Sequence, residues 1–140
     1  DNMNTPIMLA LLTLVTGGIV RFLWKFAAAN QAYGPSFLLS QEIGFCLVFV
    51  VAHLMQRQSF VLSPRMASVG ILGGVLAGIG VLGLYRGLIM GGQGSILFPI
   101  AALTVIVSVP LTFIVYREPV PTTKLLGLGL GIGSIIFLAR

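Results

Sequence analysis

The fold class of this chain is indicated most clearly by residues 91–140, GGQGSILFPIAALTVIVSVPLTFIVYREPVPTTKLLGLGLGIGSIIFLAR. This stretch begins with an apolar segment, Ser95–Tyr116, that carries two prolines, and it then reaches the charged corner REP at 117–119. A second apolar segment follows, with glycine at every other position from 127 to 133. Each segment is close to the roughly 20 apolar residues that a helix needs to cross a bilayer. The stretch therefore predicts two membrane helices joined by a charged hinge.

The composition of the whole chain agrees with this interpretation. Of its 140 residues 57% are hydrophobic and 8% are charged, whereas soluble domains carry about 25% charged residues. We expect an all-α, multi-pass protein of the cell membrane, of the kind found in a bacterial inner membrane, with residues 1–140 in a single membrane domain. The predicted transmembrane spans are residues 6–29, 35–55, 66–90, 95–116 and 122–140.

Several classes of function are disfavoured by the composition. The net charge of +5 does not indicate nucleic-acid binding, because the basic residues are dispersed and do not alternate with aromatic ones. The single cysteine, Cys46, excludes an internal disulfide and a cysteine-based metal site. No nucleophile–base pair, metal-ligand cluster or phosphate-binding loop stands out. We therefore expect neither an enzyme nor a bound cofactor or metal.

The end of the first span carries cations and an aromatic residue. Arg21 and Lys25 continue a stripe of small and polar residues, Thr13 and Gly17 among them, at three- and four-residue spacing. Such a stripe lies on one side of a helix and should face protein or water. For Lys25 and the neighbouring Trp24 an interfacial role is an open alternative, because lysine can snorkel and tryptophan is enriched at membrane surfaces.

The second span contains an acidic residue, Glu42, about 10 Å below its start by helical rise. An ionisable group at that depth costs a few kcal/mol unless it is paired. Two interpretations are open: a functional carboxylate, or a structural salt bridge to Arg21, Lys25 or Arg86. His53, near the opposite end of the span, is expected to be an interfacial residue.

Charged and aromatic residues from three spans share one depth in the membrane, about 6 to 12 Å from the same face. They are Arg21, Lys25, Glu42, Tyr85 and Arg86. Three cations and one carboxylate leave a net positive site, which suits a phosphate, a carboxylate or another anionic group. The alternative is a set of interfacial anchors with one buried ion pair.

Glycine and proline predict the packing and shape of the later spans. Glycines at four-residue spacing, Gly70, Gly74 and Gly78 and then Gly83, Gly87 and Gly91, predict close helix contacts. In the fourth span Pro99 and Pro110 each remove a backbone hydrogen bond, so we expect kinks there. Hydroxyl side chains share one face of this span, where they can bond to freed carbonyls or line a cavity: Thr104, Ser108 and Thr112.

Four short motifs resemble the repeat of the EamA-like drug/metabolite transporters. They are LYRGL at 84–88, GSILFPI at 94–100, YREPV at 116–120 and KLLG at 124–127. The likeness covers nearly the whole chain and is specific from about Leu82 onward. Glu118 matches the glutamate at the corner between the fourth and fifth helices of that repeat, and this implies a structural role, as a helix cap or a partner of Arg117.

The resemblance also implies a quaternary structure. Larger members of the family carry two five-span repeats in inverted orientation around a central cavity, and this chain supplies one repeat. It implies a homodimer of antiparallel copies, with the substrate at the interface between the repeats. The basic residues fall equally on the two sides of the membrane, unless Arg21 and Arg86 lie within it, so fixed and dual topology both stay open.

These expectations favour one function and leave two alternatives open. We expect a secondary transporter of a small polar metabolite, anionic ones included, that works by alternating access as a homodimer. Export of cationic drugs is disfavoured, because the small multidrug exporters of the superfamily carry a glutamate in the first helix, where this chain has cations. The alternatives are a flippase for a lipid-linked phosphate or sugar, and a non-transporting membrane subunit. The expected substrate-binding residues are Arg21, Lys25 and Arg86 as contacts, Glu42 as a tuning or coupling group, and Trp24 and Tyr85 as walls.

Overall fold

The computed structural model describes residues 4–116, 126–127, 129–131, 133–134 and 137. The helices are α1 (Asn4–Ala29), α2 (Gly34–Gln56), α3 (Pro64–Ile89), α4 (Gly94–Ala102) and α5 (Val105–Tyr116). The described residues between 126 and 137 are helical as well. The part of the chain that the structure describes contains no strand, which confirms the all-α prediction.

Long apolar helices dominate this part of the chain. Four helical stretches are long and apolar enough to cross a membrane: Thr5–Ala29, Gly34–Gln56, Pro64–Ile89 and Gly94–Tyr116. They match the first four predicted spans closely, and they support a multi-pass membrane protein. Most of the fifth predicted span, together with the corner at 117–119, Lys124 and Arg140, lies outside the described residues.

The chain divides into two compact units, Asp1–Met90 and Gly91–Arg140. In the first unit α1 and α2 both pack on α3. The turn between α1 and α2 is short, with Gln31 at a φ of 54° and proline in the first turn of α2. The α2–α3 loop ends at Ser63, whose side-chain oxygen accepts a hydrogen bond from the Met66 backbone N–H at 3.3 Å. This contact pairs one of the backbone N–H groups that have no partner within the helix in its first turn.

The core of the first unit lies at one end of its three helices. Six hydrophobic residues are buried in the described part of the chain: Trp24, Ala27, Ala28, Leu38, Tyr85 and Leu88. They come from the last turns of α1, the first turns of α2 and the last turns of α3. Most other large hydrophobic residues of these helices are exposed. Such exposure suits a lipid environment, because lipid tails are as apolar as the side chains.

The predicted fourth span is broken in the second unit. A turn at Leu103 and Thr104 separates α4 from α5, and the Leu103 and Ile106 N–H groups bond to carbonyls three residues back, at 3.1 and 2.9 Å. The break does not lie at either of the two prolines where kinks were expected, since Pro99 is inside α4 and Pro110 is inside α5. A run of four β-branched residues, 104–107, starts at this break. Such residues have a lower helix propensity than unbranched ones such as leucine.

Side-chain contacts around this break differ in part from the expected ones. The hydroxyl of Thr112 donates to the Ser108 carbonyl at 2.8 Å, rather than to the Ile106 carbonyl that Pro110 frees. A Cβ added to Gly131 would lie 3.1 Å from Leu103 Cδ2, so the last helical segment approaches the break closely at that residue. Added Cβ atoms at Gly127, Gly129 and Gly133 would meet nothing within 4 Å.

Candidate functional site

Tyr85 anchors α3 to the connection between α1 and α2. Its side chain is 1% exposed, and its hydroxyl donates a hydrogen bond to the Ala32 carbonyl at 3.1 Å. Its ring stacks on Phe37 with the ring centroids 5.5 Å apart. A Cβ added to Gly34 would lie only 2.9 Å from Tyr85 Cδ1, so glycine is what allows the ring to approach the start of α2. Tyr85 therefore fixes the position of the residue that follows it, Arg86.

A second tie joins α1 to α2 at the same end. Trp24 is buried, and its indole N–H donates to the side-chain carbonyl oxygen of Gln41 at 2.5 Å. Hydrogen bonds between side chains of neighbouring membrane helices stabilise their association modestly, by roughly 0.6 kcal/mol on average. Together the two ties give the ends of α1, α2 and α3 a defined arrangement.

A cavity of about 750 Å³, which we call the Arg86 cavity, lies beside this packed end. Its volume is within the range of about 300 to 1,000 Å³ that is typical of small-molecule sites. Its walls come from the start of α2 and the end of α3, and its lining includes Tyr33, Pro35, Leu82, Tyr85, Arg86, Ile89 and Met90. Arg86 is exposed and is the one charged residue in the lining of this cavity.

A second cavity, which we call the Glu42 groove, lies between α2 and α3 and has a volume of about 490 Å³. Its one charged residue is Glu42, and the rest of its lining is apolar. The lining comprises Pro35, Leu38, Leu39 and Glu42 of α2, and Gly74, Ala77, Gly78, Val81 and Leu82 of α3. Pro35 and Leu82 line both cavities, so the groove and the Arg86 cavity are neighbours.

The structure places the predicted site residues in three groups. Trp24 and Tyr85 are buried in the packed end, and Tyr85 also lines the Arg86 cavity. Arg86 and Glu42 line adjacent but different cavities. Arg21 and Lys25 are half-buried on α1 and line neither of these two cavities; each has an interaction partner.

The salt bridge considered for Glu42 is not formed within the described residues. Its carboxylate makes no hydrogen bond or ion pair there, to Arg21, Lys25, Arg86 or any other described group. Of the two interpretations that the sequence left open for Glu42, the structural ion pair is therefore not the one observed in these helices.

Three residues that the sequence did not single out contribute to the site. Gln41 receives the Trp24 hydrogen bond, Phe37 stacks on Tyr85, and Tyr33 lines the Arg86 cavity. A signal for Gln41 was present, since an amide next to a carboxylate within an apolar span requires a partner. Tyr33 is the N-cap residue of α2, and its carbonyl accepts a hydrogen bond from the Phe37 N–H at 3.1 Å.

Comparison of the chain with protein-family models, with curated proteins and with solved structures finds no match. The resemblance to the EamA repeat therefore stays a prediction. The described residues contain no group of three or more histidine, cysteine or acidic side chains that could hold a metal ion.

Proposed function

We propose that the protein is a secondary membrane transporter that moves a small anionic metabolite by alternating access, as a homodimer. The observation that carries the proposal is the Arg86 cavity, a space of about 750 Å³ with a guanidinium as its one charged lining group. The cavity is bounded by the end of a helix, α3, that could span a membrane. A solute that enters it would be within reach of that charge.

The chemistry of the lining favours an anion. A guanidinium presents several N–H donors in a planar fork and binds carboxylates and phosphates through two parallel hydrogen bonds. The hydroxyl of Tyr85 is already committed to the Ala32 carbonyl, so this ring supplies a fixed wall. Tyr33 is exposed and lines the same cavity, and it can add a hydroxyl contact to a bound solute.

The homodimer rests on the sequence resemblance and on an uncovered surface. A single EamA-like repeat needs a second repeat to enclose a central cavity, and a second copy supplies it. On α3, a Cβ added to Gly70 would meet nothing within 4 Å, and Gly70 lines neither of the two cavities. Gly70 belongs to the glycine series predicted to make close helix contacts, and within the described part of the chain its face is open to a partner helix.

The test is uptake into proteoliposomes that contain the purified protein. Labelled citrate and phosphate are the anionic probes, and glucose and choline are the neutral and cationic ones. We expect uptake of at least one anionic probe, its loss in Arg86→Gln, and its retention in Arg65→Gln. Arg65 is the matched control, because it is an exposed arginine near the other end of α3 and does not line the cavity. Equal uptake by both variants would contradict the assignment of Arg86.

A flippase for a lipid-linked phosphate or sugar is the second candidate function. The observation that favours it is the apolar wall beside Arg86, formed by Leu82, Ile89 and Met90, which suits a head group with an attached chain. Inhibition of uptake by undecaprenyl phosphate, but not by excess soluble phosphate, would distinguish it. Purification as a monomer or with an unrelated protein, without any transport, would instead favour a non-transporting membrane subunit.

A further inference from the structure

We propose that the Glu42 groove is a second ligand site, which binds a free organic cation with an apolar body. The proposal goes beyond the transport of an anion, because it concerns a different cavity and a ligand of opposite charge. It rests on a carboxylate in an apolar cavity of about 490 Å³ between two helices that are long and apolar enough to span a membrane.

The charge of the ligand follows from the surroundings of Glu42. The carboxylate lies two turns inside α2, and it has no hydrogen bond or ion pair with any described residue. At that depth in a membrane an ionised group is unfavourable unless an opposite charge accompanies it. A cation in the groove satisfies this requirement, whereas an anion adds to the cost.

The lining does not suit a bare metal ion. Ca²⁺ takes about six to eight oxygen ligands, and Mg²⁺ takes about six. Besides Glu42, every lining residue is proline, leucine, glycine, alanine or valine, so two carboxylate oxygens are the only side-chain oxygens available. A cavity of about 490 Å³ is also far larger than an ion and would leave most of its apolar wall without contacts.

The shape of the groove suits an apolar body attached to the charge. Leu38, Leu39 and Val81 offer apolar contacts, and the missing side chains at Gly74 and Gly78 leave room beside α3. A substituted ammonium ion can place its charge on the carboxylate and its hydrocarbon groups on these walls. Burial of the hydrocarbon groups then adds to the attraction between the charges. Small-molecule sites usually combine a mostly apolar lining with a few polar or charged groups in this way.

The depth of the groove favours a free cation over the head group of a lipid. Glu42 lies eight residues into α2, which corresponds to about 12 Å of helical rise. This is deeper than the interfacial layer in which lipid head groups lie. A phosphocholine group would also bring its phosphate next to the carboxylate, and like charges in close contact are unfavourable.

The test uses two probes of the same shape, phenyltrimethylammonium and its neutral isostere tert-butylbenzene, at equal concentrations in detergent. Trp24, the one tryptophan of the chain, bonds to Gln41 beside Glu42, and its fluorescence can report binding. We expect the cation to bind roughly tenfold or more tightly than the isostere. Glu42→Gln should remove this preference and leave binding of the isostere unchanged. Glu42→Asp, which keeps the charge, should retain a preference for the cation.

A pair of glycine variants locates the binding in the groove. Gly78→Leu places a side chain in the groove and should abolish binding of both probes. Gly80→Leu is the matched control, since Gly80 lies on the same helix, is open to an added side chain and does not line the groove. Gly80→Leu should bind the cation as the wild type does.

Two results would overturn the proposal. One is equal binding of phenyltrimethylammonium and tert-butylbenzene by the wild-type protein, or no binding of either. The other is a preference for the cation that persists in Glu42→Gln or in Gly78→Leu while the variants keep the elution volume and thermal stability of the wild type.

Discussion

The two ends of the three helices in the first unit differ in what holds the helices together. At the packed end, an indole–amide hydrogen bond joins α1 to α2, and a stacked tyrosine joins α3 to the α1–α2 connection. At the other end, no described residue of 5–23, 39–56 or 64–84 is buried. The glycines of α3 there, such as Gly70 and Gly73, face open space.

This difference shows where the chain determines its own structure. Apolar side chains gain little by moving from lipid to a helix interface, so hydrogen bonds and close aromatic packing specify which helices meet. Those contacts are concentrated next to the Arg86 cavity, and we propose that they hold Arg86 in the fixed position that a binding residue needs. The open end leaves apolar surface and glycine for lipid or for a second copy, and the Glu42 groove lies between the two regions.

The largest effect on stability is expected from Tyr85→Ala at the packed end. The variant loses the contact with Phe37 and the bond to Ala32, and truncation of a buried aromatic residue costs about 3 to 5 kcal/mol. Tyr85→Phe should lose only the hydrogen bond, about 1 kcal/mol. Unfolding of the purified protein in detergent measures both. Leu76→Ala, at the exposed end, is the control. An equal loss of unfolding free energy in that variant would contradict the difference in packing between the two ends.

Gly34→Ala should destabilise the protein by about 1 to 3 kcal/mol, because its new methyl group overpacks a filled site. That methyl would lie 2.9 Å from Tyr85 Cδ1. Gly74→Ala, where an added Cβ meets nothing within 4 Å, should be neutral or more stable by up to about 1 kcal/mol. The same unfolding measurement compares the two. If both alanine variants are neutral, the close approach of the tyrosine ring to α2 is wrong.

The hydrogen bond between Trp24 and Gln41 should contribute roughly 0.6 kcal/mol, the average for side-chain hydrogen bonds between membrane helices. Trp24→Phe, Gln41→Leu and the double variant form a thermodynamic cycle that isolates this coupling from the loss of packing. A coupling energy close to zero would mean that the bond does not tie α1 to α2. Cys46→Ser, on an exposed part of α2, checks that a substitution in this helix is tolerated in general.

The smallest effect is expected from Gly73→Leu at the open end. Gly73 is exposed and has nothing near an added Cβ, so the free energy of unfolding should change by less than about 0.5 kcal/mol. A loss of more than about 1 kcal/mol would show that another part of the chain, or a second copy, covers this face. Size-exclusion chromatography of the same variant would separate these two causes.

The sequence predicted the described helices well, because a run of apolar residues bounded by proline or glycine is a local feature. Pro35 and Pro64 lie in the first turns of α2 and α3, as expected of proline at helix starts. The break at 103–104 was expected at the prolines instead. Proline is a strong local signal, whereas the β-branched run that follows the break weakens the helix only slightly at each residue.

The sequence predicted how deep the site residues lie in the membrane, but not which residues contact each other. Helical rise places Glu42, Tyr85 and Arg86 near one end of their helices, and that is where the packed end and both cavities lie. Rise and periodicity do not determine which helix faces which. The separation of Arg86 and Glu42 into neighbouring cavities, and the pairing of Trp24 with Gln41, depend on the packing of α1 and α2 on α3.

An anion site in the Arg86 cavity can be tested by the thermal stability of the purified protein in detergent with citrate, phosphate, glucose, choline or undecaprenyl phosphate. A ligand at about 100 times its dissociation constant adds roughly 2.7 kcal/mol if it binds only the folded state. We predict stabilisation by an anionic probe that Arg86→Gln abolishes and Arg65→Gln preserves. Stabilisation by no probe, or an anion effect that survives Arg86→Gln, would contradict an anion site in the Arg86 cavity.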